Sequence, residues 1–310
     1  MSPFSIADPR DTEGFAARQI DEQVGRLQVR LAETAAEIDA ALALRYRIFY
    51  EEMAARPTGD MARLGRDFDE FDAHCDHLIV LDGDLGSGPE SIVGTYRMMR
   101  RAGAAQVGRF YSAAEYEIDR LVAEPGEILE MGRSCIDAAH RTRSAMQVLW
   151  RGVSAYVLSN DIAFLFGCAS LHGTDPQAVA LPLAYLRHNH LAPERYRPVA
   201  VRDRYVDMDL VPADRIDRKA ALRDLPPMIK GYLRLGGSVG EGAVIDHEFN
   251  TVDVCVVVDV AAVSDRYYKH YTRGIDVPDR RAPDGSGPNG DAGAGPNGDA
   301  GAAPDPALDR

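Results

Sequence analysis

Residues 127–136 read EILEMGRSCI, and this stretch decides the fold. Its length and apolar content predict a β-strand. Two of its charged residues, Glu130 and Arg133, stand three apart. In a regular strand an odd spacing sends such side chains to opposite faces. Gly132 lies between them, and a glycine in a strand interior marks a bulge. A bulge adds one residue to one strand, so it can bring both groups to the same face. It also turns a backbone N–H out of the ladder, available to an oxyanion. A buried Glu130–Arg133 ion pair is the plainer reading, and the two are compatible.

Working outward, Leu27–Ala32 alternates apolar and polar residues as a short half-buried strand. Thr34 and Glu37 then form a capping box, followed by the helical stripe Ile38, Leu42, Tyr46, Phe49 and Met53. His77–Leu81 and Ile92–Met98 flank a Gly/Pro-rich turn at Gly83–Pro89, which predicts a hairpin. Downstream, Ser144 and Gln147 form a second capping box opening a helix to about Asn160, and Ala163–Leu171 is a buried strand. The order β, α, β, β, β, α, β predicts an α/β fold with a mixed sheet. Strands are expected again at Gly231–Leu235, Gly242–Ile245 and Val252–Val258.

The expected organisation is a lead-in over residues 1–24, one domain over 25–275 with an inserted region at about 172–227, and a tail over 276–310. In the tail, GPNGDAGA is repeated back to back from Gly287. Such composition has too little to bury to offset the entropy of ordering, so the tail is read as disordered.

Apolar residues make up 45% and charged residues 27% of the 310, with a net charge of −13. These values predict a soluble globular protein with a sizeable core and argue against a uniformly basic nucleic-acid surface. No apolar run reaches the roughly 20 residues needed to cross a bilayer. The expected place is the cytoplasm, with peripheral contact at the inner membrane as an alternative. Four scattered cysteines without CxxC spacing predict neither a disulfide framework nor zinc. His74-Cys75-Asp76-His77 lacks a defined ligand set, and no metal is expected.

Four charged clusters remain. Arg45 and Phe49 share one helix face. Asp67, Asp69, Glu70 and Asp72 are interleaved with Phe68 and Phe71. That run is either a solvated loop or an anchored one steering a cationic substrate. The third and fourth are Gly94-x2-Arg97 and Glu130-x2-Arg133. Next comes His140-Arg141-Thr142-Arg143 at a helix start, with Arg151 two turns later. Basic residues there oppose the helix dipole, which makes sense where an anion binds.

The ordered set Arg45/Phe49, Asp69/Asp72, Arg97 and Glu130/Arg133 resembles the signature shared by acyl-homoserine lactone synthases and bacterial ornithine N-acyltransferases. Both belong to the GNAT superfamily. LRYRIFYEEM (Leu44–Met53), FDEFDAHCDHLIV (Phe68–Val80), IVGTYRMMR (Ile92–Arg100) and LEMGRSCI (Leu129–Ile136) are closest to the L-ornithine Nα-acyltransferase branch. The likeness runs from about Leu27 to Tyr271. The Trp that follows the helix Phe in the lactone synthases is missing, and Arg141–Met146 lacks both glycines of a CoA pyrophosphate loop.

The resemblance implies a GNAT fold with helices on both faces of the sheet. It also implies transfer of a 3-hydroxyacyl group from acyl carrier protein to the α-amine of L-ornithine. The product would be lyso-ornithine lipid. No separate cofactor is implied, because the donor is itself phosphopantetheine-linked. Glu130, supported by Arg133, is the expected base, acting directly or through water. Arg45, Phe49, Asp69, Asp72 and Arg97 are expected around the amine substrate, with Asp69 and Asp72 recognising its cation. Gly132, Ser134, Cys135, Arg141, Arg143, Ser144 and Arg151 are expected on the acyl-donor side. A lactone-type synthase using S-adenosylmethionine, or a non-catalytic carrier-protein or lipid binding module, are the alternatives.

Overall fold

A computed structural model describes residues 20–263. The tail over 276–310 and most of the lead-in lie outside them. The lead-in is shorter than expected, because β1 (Asp21–Val24) already pairs antiparallel with β2 (Leu27–Leu31). The capping box forms as expected: Thr34 accepts from the Glu37 amide, and Glu37 accepts from the Thr34 amide. It opens α1 (Ala35–Tyr46), which runs into a π-helical turn, Arg47–Glu52.

A short α2 (Gly59–Leu64) leads to β3 (Asp76–Asp82) and β4 (Ile92–Arg100), then α3 (Arg101–Val107), β5 (Tyr116–Glu117) and α4 (Asp119–Val122). β6 (Glu127–Ile136), α5 (Arg143–Ser159) and β7 (Ile162–His172) follow. Residues 173–226 hold α6 (Ala180–Asn189), β8 (Val199–Ala200), β9 (Tyr205–Val206) and α7 (Arg218–Asp224). The segment expected to be a strand at Gly231–Leu235 is instead in α8 (Pro227–Arg234), opened by Pro227. Pro is favoured at a first helical position, since its missing N–H would be unpaired there anyway. The chain then forms β10 (Ser238–Val239), β11 (Ala243–Asp246) and β12 (Thr251–Asp259).

One sheet takes the order β1-β2-β3-β4-β6-β7-β12-β11-β9, with β10 also on β12. Every pairing in it is antiparallel except β6 with β7. Residue alternation sorts the two faces. Val29, Leu78, Val80, Leu129 and Met131 pack with Val148 and Leu149 of α5, while Ile79 and Leu81 pack with Ile38 and Leu42 of α1. At roughly 25 cal/mol per Å² of apolar surface removed from water, these two faces dominate the folding free energy.

The parallel β6–β7 ladder ends at Glu130/Phe166. Just there the strands touch most closely, since a Cβ on Gly167 would lie 2.1 Å from the Met131 carbonyl oxygen. Gly167→Ala is therefore expected to destabilise by about 1–3 kcal/mol, as overpacked cores do. Thermal unfolding should show a drop of about 2–4 °C per kcal/mol for a domain of this size. An unchanged Tm would refute the close contact.

Candidate active site

Beyond Gly167 the two strands part, and a cavity of about 730 Å³ opens between them. Met131–Ile136 and Leu165–Ser170 form its walls. On one side of the sheet it is lined by Tyr96, Met146, Ile229 and Tyr232, and on the other by Phe49, Tyr111, Glu130 and Phe249. It therefore passes through the sheet where the ladder is broken. Tyr96 and Tyr232 hydrogen-bond each other hydroxyl to hydroxyl at its apolar end.

The bulge forms on β6. Thr95 pairs with Cys135 and Arg97 with Gly132, so Arg133 and Ser134 together oppose Tyr96. Arg133 takes the left-handed φ of 55° that absorbs the extra residue. The parity of the strand changes across it. Leu129 and Met131 face the α5 core, whereas Cys135, an even number of residues beyond them, packs on the α1 side. Glu130 and Arg133 thus share a face, both against the Tyr111–Ser112 turn.

They do not form an ion pair with each other. The Glu130 carboxylate accepts from the Tyr111 amide at 2.8 Å and the Ser112 amide at 2.6 Å. Burial pushes its pKa up, while those hydrogen bonds hold it back. Arg133 instead reaches Asp67 at 3.3 Å and Asp69 at 3.4 Å, and lies over the rings of Tyr111 and Phe249.

Three aspartates and three arginines interlock beside it. Arg45 is fully buried, donating to Asp67 at 2.6 Å and to Asp72 at 2.7 Å. Arg97 donates to Asp69 at 2.6 Å and reaches Asp72 at 3.3 Å. The Tyr50 hydroxyl donates to Asp67 at 2.8 Å. The flanking arginines hold the Asp67 and Asp72 carboxyls below the usual range against the opposing effect of burial.

This arrangement corrects the expectation for Asp69 and Asp72. Both carboxylates are taken up by arginines, so they anchor the loop and do not stand ready for a substrate cation. Arg45, likewise, is a buried clamp that does not line the cavity. Phe49 and Arg97 do line it.

On the donor side, Gly132, Ser134, Cys135, Arg141 and Arg143 line the cavity. Arg141 pairs through two bonds with Glu52 of the π-helical turn, one of them at 2.7 Å. Arg143 is exposed on the rim. The cap of α5 is Thr142, accepting from the Ala145 amide, and Ser144 already lies within the helix. Ser144 and Arg151 fall outside the cavity, and Arg151 pairs with Glu22 on β1. Burial pushes the Cys135 thiol up to about 12, which removes it as a ready thiolate nucleophile.

His74 and His77 do not converge on a metal: His74 bonds Gln106, and His77 bonds the Asp72 carbonyl. A different acidic trio, Glu115, Asp246 and Asp253, brings carboxylate oxygens within 4.8 Å of one another. Sequence reading missed it because Glu115 lies 131 positions before Asp246, and only the fold brings it to the β11–β12 pair that carries Asp246 and Asp253. Tyr111 and Ser112, whose amides hold Glu130, were also missed, since backbone donors leave no mark in side-chain patterns.

The acetyltransferase (GNAT) domain family matches residues 44–151. An L-ornithine N(alpha)-acyltransferase of Agrobacterium fabrum is 45% identical over 265 residues, covering 84% of this chain and 89% of that protein. One of Rhodobacter capsulatus is 46% identical over 255 residues, covering 80% and 96%. A CoA-dependent acyl-homoserine lactone synthase structure overlays with a TM-score of 0.43 at 14% identity, covering 78% of this chain and 83% of that one.

Proposed function

The chain belongs to the L-ornithine Nα-acyltransferase family, and from that premise we propose that it moves a 3-hydroxyacyl group from acyl carrier protein to the α-amine of L-ornithine. The product is lyso-ornithine lipid, the first intermediate toward ornithine lipids. The observation that carries this reading is the cavity through the broken β6–β7 ladder. A thioester threaded there has its carbonyl beside the β6 bulge, with the acyl chain toward Tyr96, Met146 and Tyr232. The amine enters from the Glu130 and Tyr111 side.

Attack requires the α-ammonium to lose a proton. Glu130 is the group for this, directly or through a water, with burial raising its pKa above the ordinary carboxylate value. The amine lone pair then forms the C–N bond, and the carbonyl oxygen becomes an oxyanion. Backbone N–H groups of the bulge stabilise it, where loss of one donor typically costs about 3 kcal/mol of barrier. Collapse breaks the C–S bond, and the second proton released by the attacking nitrogen, as it becomes the amide, passes to the departing pantetheine thiolate.

Arg143, exposed on the rim at the first turn of α5, suits the single phosphodiester of a pantetheine arm and the acidic carrier that bears it, with Arg141 held beside it by Glu52. No helix among the described residues is long and apolar enough to cross a membrane. The test supplies 3-hydroxyacyl carrier protein with ornithine, lysine or S-adenosylmethionine and identifies products by mass spectrometry. Acylated ornithine is expected. A lactone from S-adenosylmethionine, or no product from any amine, would overturn the reading.

A further inference from the structure

We propose that Glu115, Asp246 and Asp253 form the subsite for the side-chain ammonium of the amine substrate and so select a diamino acid over a neutral one of equal length. The proposal rests on ornithine being the acceptor. Asp246 ends β11, Asp253 lies on β12 and Glu115 precedes β5. All three are at least nine-tenths buried, with exposures of 8%, 5% and 4%. Asp246 and Asp253 line the same cavity as Glu130, together with Ser112, Cys168 and Ser170. The Ser112 residue whose amide binds Glu130 also has its hydroxyl 3.6 Å from Cys168 Sγ. The trio therefore lies on the Glu130 side of the sheet, with Glu115 reaching the two aspartates without lining the cavity itself.

Its hydrogen-bond inventory is incomplete. Asp246 Oδ1 accepts from the Glu248 and Phe249 amides, and Arg204 reaches Glu115 Oε1 at 3.3 Å. Cys168 lies beside Glu115, and Thr251 and Ser170 beside Asp253, yet Glu115 Oε2 and Asp253 Oδ1 have no hydrogen-bond partner among the described residues. Buried acceptors without donors are costly, and native structures rarely keep them without a reason. Three carboxylates share one guanidinium, that of Arg204 on Glu115, so full ionisation leaves the pocket with surplus negative charge. Burial and the neighbouring Glu115 accordingly push Asp253 up to about 7. A primary ammonium brings one positive charge and three N–H donors, which answers both deficits at once. The other acidic cluster is not a competitor, because Arg45, Arg97 and Arg133 already satisfy Asp67, Asp69 and Asp72.

The test compares L-ornithine with L-norvaline, which has the same carbon skeleton and no side-chain amine, using one acyl carrier protein donor. Wild-type enzyme is expected to favour ornithine by about 100-fold or more in kcat/KM, as for a buried charge pair. Asp253→Asn and Glu115→Gln should lower kcat/KM for ornithine by on the order of 10²-fold, chiefly through KM, so that the preference collapses. Equal losses with both amines would overturn the proposal. So would an ornithine preference that is lost on treatment with EDTA and restored by Mg²⁺ or Zn²⁺, which would make the trio a metal site.

Should wild-type enzyme acylate neither amine, the transferase reading itself fails. The trio is then read by calorimetry with the same two amino acids. Ornithine-selective binding lost in Asp253→Asn supports the subsite, and its absence in wild type removes it.

Discussion

Replacing Arg45 by alanine is expected to lower the free energy of unfolding by about 3–5 kcal/mol, the usual result of removing one member of a buried ion pair. The guanidinium is wholly buried and binds two carboxylates that are themselves buried. Its loss leaves Asp67 and Asp72 facing each other without their shared counter-charge. Repulsion and desolvation then add to the lost hydrogen bonds. Arg45→Lys should recover only part, because a point-like ammonium cannot bridge both partners as the planar fork does. Urea unfolding measures both variants, and a loss under about 1 kcal/mol for the alanine variant would contradict a structural clamp.

The same cluster fixes a pH response. Asp67 and Asp72 titrate lower folded than unfolded, so their contribution is complete above the ordinary carboxylate range near 4. It is lost as pH falls below that range, since the unfolded chain takes up protons first.

Glu130→Gln is expected to cut kcat by about 10²–10⁴, the usual contribution of a positioned general base. The structure adds a second effect. Both carboxylate oxygens accept backbone amides, and a glutamine must turn its NH₂ toward one of them. An unpaired amide costs about 1–3 kcal/mol, so a modest loss of stability accompanies the kinetic defect. The two are separable by measuring turnover well below the midpoint of unfolding and following kcat against pH. A base variant loses the acidic limb of the wild-type profile, whereas a merely loosened turn keeps it. Turnover near wild type would remove Glu130 as the base.

Local chemistry was legible in the chain. The Thr34–Glu37 capping box, the β3–β4 hairpin and the β6 bulge are each written within a few neighbouring residues, and each forms. The misreadings share a cause. Residues 231–235 alternate like a strand, yet Pro227 starts a helix whose Gly231 lies against Trp150, a partner 81 positions away in sequence. Ser144 has cap chemistry, but Thr142, two residues earlier, takes the position because the chain leaves β6 through the Asp137–His140 turn.

The site divides along the same line. Residue order and type alone determined the family, the bulged strand and the placement of Glu130 and Arg133 on one face, because bulge, cap and register depend on covalent neighbours. Only the tertiary structure decided which acids are free. Asp69 and Asp72 look available in sequence, whereas the fold surrounds them with Arg45, Arg97 and Arg133. Glu115, Asp246 and Asp253 look unrelated in sequence, whereas β5, β11 and β12 bring their carboxylates together in a buried pocket. Charge balance at a site is a sum over neighbours in space, and the chain order does not contain that sum.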